Sequence, residues 1–368
     1  MSQPITIGLI GASNFGKTHL AGFQASPHVG AIYLAGRDRQ KLDAVRAEFS
    51  KVHGVTTDYR TLFSQDALDL VDIVLPHDMH LPVALEAFRA GKHVLVEKPP
   101  ARTCTEFRTM RAAAQAADRR LFVVLNLVYT ATHRAARAAI DAGRIGTPFL
   151  SVEVSLGRAR YIYENPADWR ADRERSGGGL QIDGGFHAVY RQLYLLEALG
   201  APLWVMADCD QIGVTAPTKG EDFSALTLAY PGGARIHLMS QWTGRAPLGR
   251  FPSGILGDEG SLVFTGDRAQ PLLIRREDGS EENVEVPIGP EGFSESATAC
   301  AEHIAACLAD GSEPYAGVDL AALTLEVVTG AYRSAAEGRR IPLSGRFRTG
   351  AETERPPLEE CGGSSGKH

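Results

Sequence analysis

The sequence predicts an α/β protein: an N-terminal doubly wound parallel sheet, then a C-terminal α/β domain with a large, mostly antiparallel, open-faced sheet. The chain has 368 residues, and domains usually run to about 100–200 residues, so two are expected. Up to about Asn126, short apolar runs alternate with segments of helical spacing, as in βαβ units. Beyond that residue, longer stretches alternate apolar and polar side chains, which indicates a sheet with one covered face. We therefore place the domains at 1–126 and 127–348.

Composition excludes several classes of function. The hydrophobic fraction is 44%, the charged fraction 22% and the formal net charge −6, so the chain lacks the basic field of a nucleic-acid-binding protein. Five cysteines without a CxxC pair argue against a disulfide framework and a thiolate zinc site. No stretch reaches the ~20 apolar residues of a membrane helix, and no basic leader precedes the first apolar run, so we expect a cytoplasmic protein. Residues 349–368, rich in Pro, Glu, Gly and Ser, are expected to form a disordered tail.

The strands and helices of the first domain are predicted from the spacing of apolar residues and the length of each apolar run. Continuous apolar runs bounded by Gly or Pro predict buried parallel strands, and apolar residues three or four apart predict helices. Strands are expected at Ile5–Ile10, Ala31–Ala35, Val71–Leu75, His93–Val96 and Leu121–Leu125, and helices at Thr18–Ala25, Arg39–Phe49, Leu81–Ala90 and Thr105–Ala117.

The second domain is expected to carry the longer, alternating strands. They are Phe149–Leu156, Ser224–Ala229, Arg235–Gln241, Ser261–Phe264, Leu272–Arg276 and Asn283–Val286, with helices at Arg134–Ala142, Ser296–Ala309 and Leu320–Ala336. This order of elements favours a mixed or antiparallel sheet over a second βαβ series.

A glycine-rich hexapeptide, Gly11-Ala12-Ser13-Asn14-Phe15-Gly16, lies between the first expected strand and the first helix. A Rossmann G-x-G-x-x-G turn binds a dinucleotide at this place. Gly11 would make the tight turn, Gly16 would let the helix pack closely, and the helix N-terminus would hold the pyrophosphate. Ser13 replaces the middle glycine, but it is small and can donate to phosphate. The sequence predicts a Rossmann domain with Gly11, Ser13, Asn14, Phe15 and Gly16 at the cofactor.

The end of the second expected strand indicates which dinucleotide binds. NAD sites usually place an acid there to hold the ribose 2′-hydroxyl, whereas this chain has Gly36 followed by Arg37. Without that carboxylate a 2′-phosphate is not repelled, and a guanidinium offers it a fork of donors. The alternative is a solvated Arg37, with Asp38 or a backbone group at the ribose. The sequence favours NADP and leaves NAD open.

Two further motifs carry candidate catalytic residues. Lys98 follows Glu97 at the end of the strand His93–Val96, and ligands bind at the carboxyl ends of such strands. Asp183 and His187 lie four residues apart, so a helix there would put both on one face. A lysine from one domain facing an Asp/His pair from the other can handle protons across a cleft. The alternatives are a solvated lysine and a structural histidine.

With these motifs in place, the sequence resembles the Gfo/Idh/MocA oxidoreductases, which include glucose–fructose oxidoreductase and inositol dehydrogenase. The resemblance reaches to about Leu343. It is carried by IGLIGASNFG at Ile7–Gly16, LPHDMH at Leu75–His80, AGKHVLVEKP at Ala90–Pro99, GGGLQIDGGFH at Gly177–His187, LGDEGSL at Leu256–Leu262 and AYRSAAEGRRIPL at Ala331–Leu343. It implies a Rossmann domain followed by an open-faced α/β domain. That open face commonly pairs with another subunit, so a homodimer or homotetramer is expected.

The resemblance also implies roles for the catalytic residues. His187 matches the general acid/base on the reacting hydroxyl, Lys98 the lysine that bonds substrate and nicotinamide ribose, and Asp183 the acid that orients substrate. Lys98–Pro99 is implied to be a cis peptide. Further cofactor contacts are expected from Gly36, Arg37, Pro76, His77, His80, Glu97 and Lys98. On the substrate side we expect Lys98, Asn126, Tyr129, Trp169, Asp183 and His187.

The chain departs from the family pattern at two places. His77 stands where asparagine is frequent, which alters the polar detail of the cofactor contact. Leu127 stands where an arginine commonly follows the position of Asn126, which affects the substrate class more than the redox chemistry. The arginines of 158–175 could recognise an acidic substrate group, but the interspersed acids favour a solvated loop.

The activity implied is an NAD(P)-dependent dehydrogenase or reductase acting on a CH–OH group of a sugar, cyclitol or derivative. One alternative is a non-redox member, glycosidase-like or lyase-like, that uses its bound nucleotide transiently. Another is a redox-silent nucleotide sensor, against which the presence of Lys98, Asp183 and His187 argues. No metal is expected, because His77 and His80 lack a convincing third ligand.

Overall fold

The computed structural model describes residues 4–12, 15–157, 159–165, 167–213, 220–244 and 253–345. It confirms the predicted fold class, with a six-stranded parallel sheet followed by a nine-stranded sheet that is mostly antiparallel. The predictions for Ser13, Asn14, Arg158 and the tail 349–368 lie outside the described residues.

The first sheet carries the predicted βαβ series. Its strands are β1 (Ile5–Ile10), β2 (Val29–Ala35), β3 (Val52–Thr56), β4 (Leu70–Ile73), β5 (His93–Val96) and β6 (Leu121–Val123). The helices are α1 (Phe15–Ala25), α2 (Arg39–Glu48), α3 (Arg60–Phe63), α4 (His77–Arg89) and α5 (Cys104–Ala116). The strand order is β3-β2-β1-β4-β5-β6, and every pairing is parallel. The order reverses between β1 and β4, which opens a crevice for ligands at the carboxyl ends of these strands.

The second sheet lies in the other half of the chain. Its strands are β7 (Pro148–Leu156), β8 (Trp204–Asp210), β9 (Phe223–Ala229), β10 (Arg235–Gln241), β11 (Ser253–Gly257), β12 (Gly260–Phe264), β13 (Leu272–Arg275), β14 (Glu281–Asn283) and β15 (Ile341–Pro342). The helices of this half are α6 (Ala131–Asp141), α7 (Arg160–Glu164), α8 (Arg173–Ser176), α9 (Leu180–Leu195), α10 (Phe293–Asp310) and α11 (Val318–Glu337), with short 3-10 turns at Asn126–Tyr129 and Trp169–Ala171. The strand order is β14-β13-β12-β11-β7-β10-β9-β8-β15, and only β7 and β10 pair in parallel.

One face of the second sheet is covered and the other is open. Helices α9 and α11 pack on the covered face. Along β10, Ile236 and Leu238 are buried while His237 between them is exposed. Along β8, Val205 is buried while its neighbour Met206 is exposed. The alternation that predicted an open-faced sheet therefore does separate the two faces.

Several elements differ from the prediction. Strand β3 was not predicted because His53 and Gly54 interrupt its apolar run, and β8 because the alternating Asp208 and Asp210 lie on the open face. Helix α4 begins at His77, directly after Pro76, and not at Leu81. The strand expected at Asn283–Val286 lies instead at Glu281–Asn283, where exposed residues pair with the sheet edge.

The second half of the chain also braces the first. Helix α10 returns to pack against α1, and a Cβ on Gly22 would collide with the carbonyl oxygen of Thr298. The Thr298 hydroxyl donates to the carbonyl of Thr18 at 3.0 Å. Within the described ranges, no helix combines the length and apolar character needed to cross a membrane.

Candidate active site

The turn after β1 has the backbone of a dinucleotide-binding site. Gly11 adopts a φ of 101°, and a Cβ there would collide with the carbonyl oxygen of Val74. A Cβ on Gly16 would collide with the carbonyl of Gly11, so both positions require glycine. Phe15 begins α1, and its ring packs against that of Phe293 with centroids 5.2 Å apart. Helix α1 begins shortly after the carboxyl end of β1, and the N–H groups at such a helix start favour a pyrophosphate.

Asp38 and Arg37, just after the end of β2, differ in how far they are engaged by the rest of the protein. Asp38 accepts from the backbone N–H of Lys41 at 3.1 Å and caps α2, which lowers the pKa of its carboxyl. Gly36 packs beside Leu42. Arg37 is exposed, and within the described part of the chain no hydrogen bond or ion pair engages its guanidinium. The acid is thus occupied as a cap, and the arginine is available to a ligand.

The second crevice loop is fixed by two buried histidines. Pro76 precedes α4, and His77 at its start donates from Nδ1 to the Ser176 carbonyl at 2.7 Å. The ring nitrogens of His80 lie 2.9 Å from the carbonyl of Pro99 and 2.8 Å from that of Leu75. Burial lowers the pKa of both histidines. His80 therefore ties the loop before α4 to the loop after β5, and His77 ties α4 to the second domain.

A buried ion cluster supports the Glu-Lys-Pro turn. Glu97 accepts from the backbone N–H of Lys98 at 2.9 Å and also contacts His19 Nε2 at 3.0 Å. His19 Nδ1 lies 2.9 Å from Asp72 on β4. Burial alone would lower the pKa of His19, but the charges of Asp72 and Glu97 raise it to about 10. The carboxylate of Glu97 is thus engaged within the protein, and the Lys98–Pro99 peptide that follows is cis, as predicted.

Lys98 and Asp183 meet across the two halves of the chain. Lys98 Nζ lies 2.5 Å from Asp183 Oδ1 and 3.1 Å from the Asp183 carbonyl oxygen. Arg170 Nε approaches the other carboxylate oxygen at 3.1 Å. Burial would raise the pKa of Asp183, but Lys98 and Arg170 hold it well below its usual range. Lys98 and Asp183, which were both predicted as site residues, therefore form an ion pair at the crevice.

His187 lies one turn further along α9 and has a different partner. Its Nδ1 is 2.8 Å from the hydroxyl of Tyr190, not bonded to Asp183. Burial and the nearby Lys98 ammonium lower the pKa of His187 well below its usual value, so its ring is neutral at neutral pH. A neutral imidazole beside a cation can accept a proton from a substrate hydroxyl.

The start of α9 is capped by residues from outside the helix. The carboxylate of Glu221 accepts from the backbone N–H groups of Gly179 and Gln181 at 2.9 and 2.8 Å, and from the Tyr332 hydroxyl at 2.7 Å. The Glu221 carbonyl accepts from Leu180 N–H at 2.8 Å. Such close approach needs a small residue, because a Cβ on Gly179 would collide with the Glu221 backbone. This cap fixes the helix that carries Asp183 and His187.

Three aromatic side chains surround these groups. Trp169 is half-buried; its ring lies edge-on to His77 with centroids 4.5 Å apart, and Arg170 stacks on it at 4.3 Å. Phe293 lies edge-on to His187 at 5.1 Å. Trp242 packs where a Cβ on Gly184 would be.

Two residues expected at the substrate lie apart from the Lys98–Asp183 pair. Asn126 is buried and hydrogen-bonded to Tyr190, Ser296 and Phe293, behind His187. The Tyr129 hydroxyl is 3.2 Å from His303, and its described ring contacts are with His303 and Tyr315. The structure thus groups Lys98, Asp183, His187 and Trp169, with Asn126 one layer behind and Tyr129 in a separate cluster.

Sequence reasoning missed several contributors. The arginine-rich segment pairs only partly within itself, as in Arg160–Glu164 at 2.5 Å. Its Arg170 and Arg175 instead reach Asp183 and Asp78, which corrects the expectation of a solvated loop. His19, Tyr190, Glu221 and Phe293 gave no spacing signal of their own; only the three-residue separation of His187 and Tyr190 on a predicted helix could have paired them.

Comparison with known proteins identifies the family. The model described as "Oxidoreductase family, NAD-binding Rossmann fold" matches residues 5–125, and "Oxidoreductase family, C-terminal alpha/beta domain" matches 137–343. The dTDP-3,4-didehydro-2,6-dideoxy-alpha-D-glucose 3-reductase of Streptomyces violaceoruber is 31% identical, over 77% of this chain and 80% of that protein. The D-xylose 1-dehydrogenase [NADP(+)] of Haloarcula marismortui is 26% identical, over 84% and 87%.

The fold is also found among solved structures. A levoglucosan dehydrogenase in complex with NADH and levoglucosan superposes with a TM-score of 0.82 at 21% identity, covering 93% of this chain and 100% of that one. Both halves of the chain are thus accounted for by one family. The chain belongs to the Gfo/Idh/MocA family of NAD(P)-dependent oxidoreductases.

Proposed function

We propose that this protein is a dehydrogenase or reductase of a sugar, cyclitol or related polyol, and that it prefers NADP. The observation that carries the activity is the ion pair joining Lys98 of the first domain to Asp183, one turn before His187 on α9. The pair brings the Lys98 ammonium, at the end of β5, next to the helix that carries the neutral His187. Dinucleotides bind at the carboxyl ends of the strands in such folds. The sugar and deoxysugar relatives support the substrate class.

The side chains present suit proton handling on a hydroxyl. The bound nicotinamide would supply the hydride acceptor or donor, which is the cofactor's own chemistry. In oxidation, His187 accepts the hydroxyl proton, and in reduction it returns that proton to the carbonyl oxygen. Lys98 has three N–H donors, of which Asp183 takes two. The third can hydrogen-bond the reacting oxygen and stabilise negative charge there.

The preference for NADP is supported by the end of β2. The Asp38 carboxylate caps α2, while Arg37 has no hydrogen-bond or ion-pair partner among the described residues. The turn at Gly11 and Gly16 has the close backbone that a pyrophosphate needs. An unengaged guanidinium beside that turn suits a 2′-phosphate.

The first experiment measures nucleotide affinity by the fluorescence of NADPH and NADH. The wild type should bind NADPH more tightly, and Arg37→Ala should weaken NADPH binding about 10-fold or more while leaving NADH nearly unchanged. Arg39→Ala is the matched control, because that arginine is exposed and paired with Asp43 on α2. Equal affinities, or a loss for both nucleotides in Arg37→Ala, would refute the preference.

The second experiment follows nicotinamide absorbance across a panel of sugars and cyclitols. His187→Gln should lower kcat about 100-fold or more, as expected for loss of a general base, while nucleotide affinity stays. His237→Gln, on the exposed face of β10, is the control. Tight nucleotide binding with no net turnover on any polyol would favour a non-redox or sensing role.

We also propose that the open face of the second sheet forms a subunit interface. Met206 is exposed on it, and a solvent-exposed sheet face with large apolar side chains is typical of an association surface. Light scattering coupled to gel filtration should give the mass of a dimer or tetramer. A monomer at micromolar concentration would contradict this assignment.

A further inference from the structure

A chain of hydrogen bonds runs inward from the candidate base. His187 Nδ1 lies 2.8 Å from the Tyr190 hydroxyl, and that hydroxyl lies 3.2 Å from Asn126 Oδ1. Asn126 Nδ2 is 3.0 Å from Ser296 Oγ and 3.2 Å from the Phe293 carbonyl oxygen. Leu127 N–H also points at the Tyr190 oxygen, at 3.0 Å. His187, Tyr190 and Asn126 are all buried, so bulk water does not compete for these bonds.

The chemistry of the donors gives this chain one direction. A carbonyl oxygen only accepts, so the Asn126 amide nitrogen must face Phe293 and its Oδ1 must face Tyr190. Oδ1 also only accepts, so the single Tyr190 proton is donated to Asn126. The Tyr190 oxygen then accepts from Leu127 N–H and, with its other lone pair, from His187 Nδ1–H. His187 is thereby left with its proton on Nδ1 and a lone pair on Nε2.

We propose that Tyr190 is a positioning residue that holds His187 in its Nδ1–H tautomer, and that Asn126 sets the direction of the Tyr190 hydroxyl. The inference rests on the proposed function, in which His187 accepts the substrate proton at Nε2. Only the Nδ1–H tautomer has the Nε2 lone pair that this step requires. The opposite tautomer would present a donor to the substrate hydroxyl and could not remove its proton.

The hydrogen-bond partner of His187 is a neutral phenol, the side chain of Tyr190. Burial raises the pKa of Tyr190 far above its usual value, so the hydroxyl keeps its proton. A carboxylate in this place would stabilise the imidazolium, whereas a phenol bonds the neutral ring without adding charge. The arrangement fixes the tautomer and keeps the His187 ring neutral, with Nε2 free to accept a proton.

The test reads the tautomer directly, by nitrogen NMR of the ¹⁵N-histidine-labelled full-length protein without nucleotide or substrate. The His187 signals are assigned by their absence in His187→Gln. Wild type should show a protonated Nδ1 and an unprotonated Nε2. Tyr190→Phe should yield a mixture of tautomers and lower kcat about 10-fold, with nucleotide affinity unchanged. Tyr194→Phe, one turn further on the same helix, is the control and should change neither.

A second pair of variants separates positioning from mere packing. In Asn126→Leu the Tyr190 hydroxyl loses its acceptor and turns to donate to His187 Nδ1, so the ring should move to the Nε2–H tautomer. kcat should then fall about 100-fold. Adding Tyr190→Phe removes that wrongly directed donor, so the double variant should be more active than Asn126→Leu alone. A structural role predicts instead that the two losses add.

The outcomes separate the inference from the proposed function. An Nε2–H tautomer in the wild type, or Tyr190→Phe with tautomer and kcat both unchanged, overturns the inference. Additive losses in the double variant overturn it as well. Because the tautomer is measured without substrate, an Nδ1–H ring that shifts as described in the variants supports the inference even if His187→Gln keeps its activity, a result that would refute only the proposed proton transfer.

Discussion

The carboxylate of Asp183 is shared by two cations that arrive from different directions. Lys98 comes from the end of β5 and Arg170 from the segment before α8. Both Lys98 and Asp183 are about one-tenth exposed in their side chains, so their desolvation offsets much of their attraction. At the scale of the residue, such a pair is explained by chemistry at the crevice more readily than by stability.

Removing one partner of this pair should therefore lower the free energy of unfolding strongly, and removing both partners should lower it much less. Asp183→Leu leaves the Lys98 ammonium buried without its anion and should lower the free energy of unfolding by about 3 kcal/mol. The double variant Lys98→Met/Asp183→Leu should recover most of that loss while remaining inactive. Urea denaturation followed by circular dichroism measures both. A double variant no more stable than Asp183→Leu would show that the pair itself stabilises the fold.

At the scale of the element, α9 depends on residues far away in sequence. Its first N–H groups are capped by Glu221 at the start of β9 and by Tyr332 on α11. The three glycines before the helix allow this approach, since a Cβ on Gly178 would collide with the Tyr332 hydroxyl. Helix α9 is thus anchored to both the sheet and the helix layer of the second half of the chain.

Glu221→Ala should remove the carboxylate that caps the start of α9. Two buried backbone N–H groups would lose their acceptor, so the free energy of unfolding should fall by about 2–4 kcal/mol. Hydrogen exchange at Gly179 and Gln181 should become faster, because those two amides would lose the carboxylate that accepts from them. The control is Glu313→Ala, whose carboxylate pairs with Arg120 at an exposed site and should matter by less than about 0.5 kcal/mol. Unchanged exchange at Gly179 and Gln181 would contradict the capping role.

The same helix shows what sequence reasoning can and cannot reach. The spacing of Asp183 and His187 predicted their helix, and the glycine-rich turn predicted the dinucleotide domain, because local periodicity is visible in one segment. The partners of those residues were not predictable in the same way. Arg170, Glu221 and Tyr190 become partners only through packing, and a lone charged or aromatic residue carries no period. Helical spacing put Asp183 and His187 on one face, but it did not reveal that Asp183 pairs with Arg170 or that His187 pairs with Tyr190.

At the scale of the molecule, the first domain contains a fully buried cation. His19 on α1 lies between Asp72 on β4 and Glu97 after β5, so one ring joins the helix of the dinucleotide turn to two strands of the sheet. The second oxygen of Asp72 has no hydrogen-bond partner among the described residues. The positive charge of His19 therefore compensates the buried carboxyl groups of Asp72 and Glu97.

This cluster predicts how stability changes with pH. The pKa of His19 is raised from 6.5 to about 10, so its contribution is complete below pH 6.5 and is lost as pH rises towards 10. In that interval the wild type should lose about 1.4 kcal/mol per pH unit relative to His19→Gln. Urea titrations of both proteins between pH 6 and 10 measure the difference. Parallel curves would mean that the ring is neutral throughout.

The ring of Phe293 has a consequence for the order in which ligands bind. It touches Phe15 at the dinucleotide turn and His187 at the substrate side, so one rigid group is shared by both sites. A ligand that moves this ring changes the surface offered to the other ligand. The two affinities are then linked by a single coupling energy. If bound nucleotide changes the affinity for the polyol by some factor, bound polyol changes the affinity for the nucleotide by the same factor.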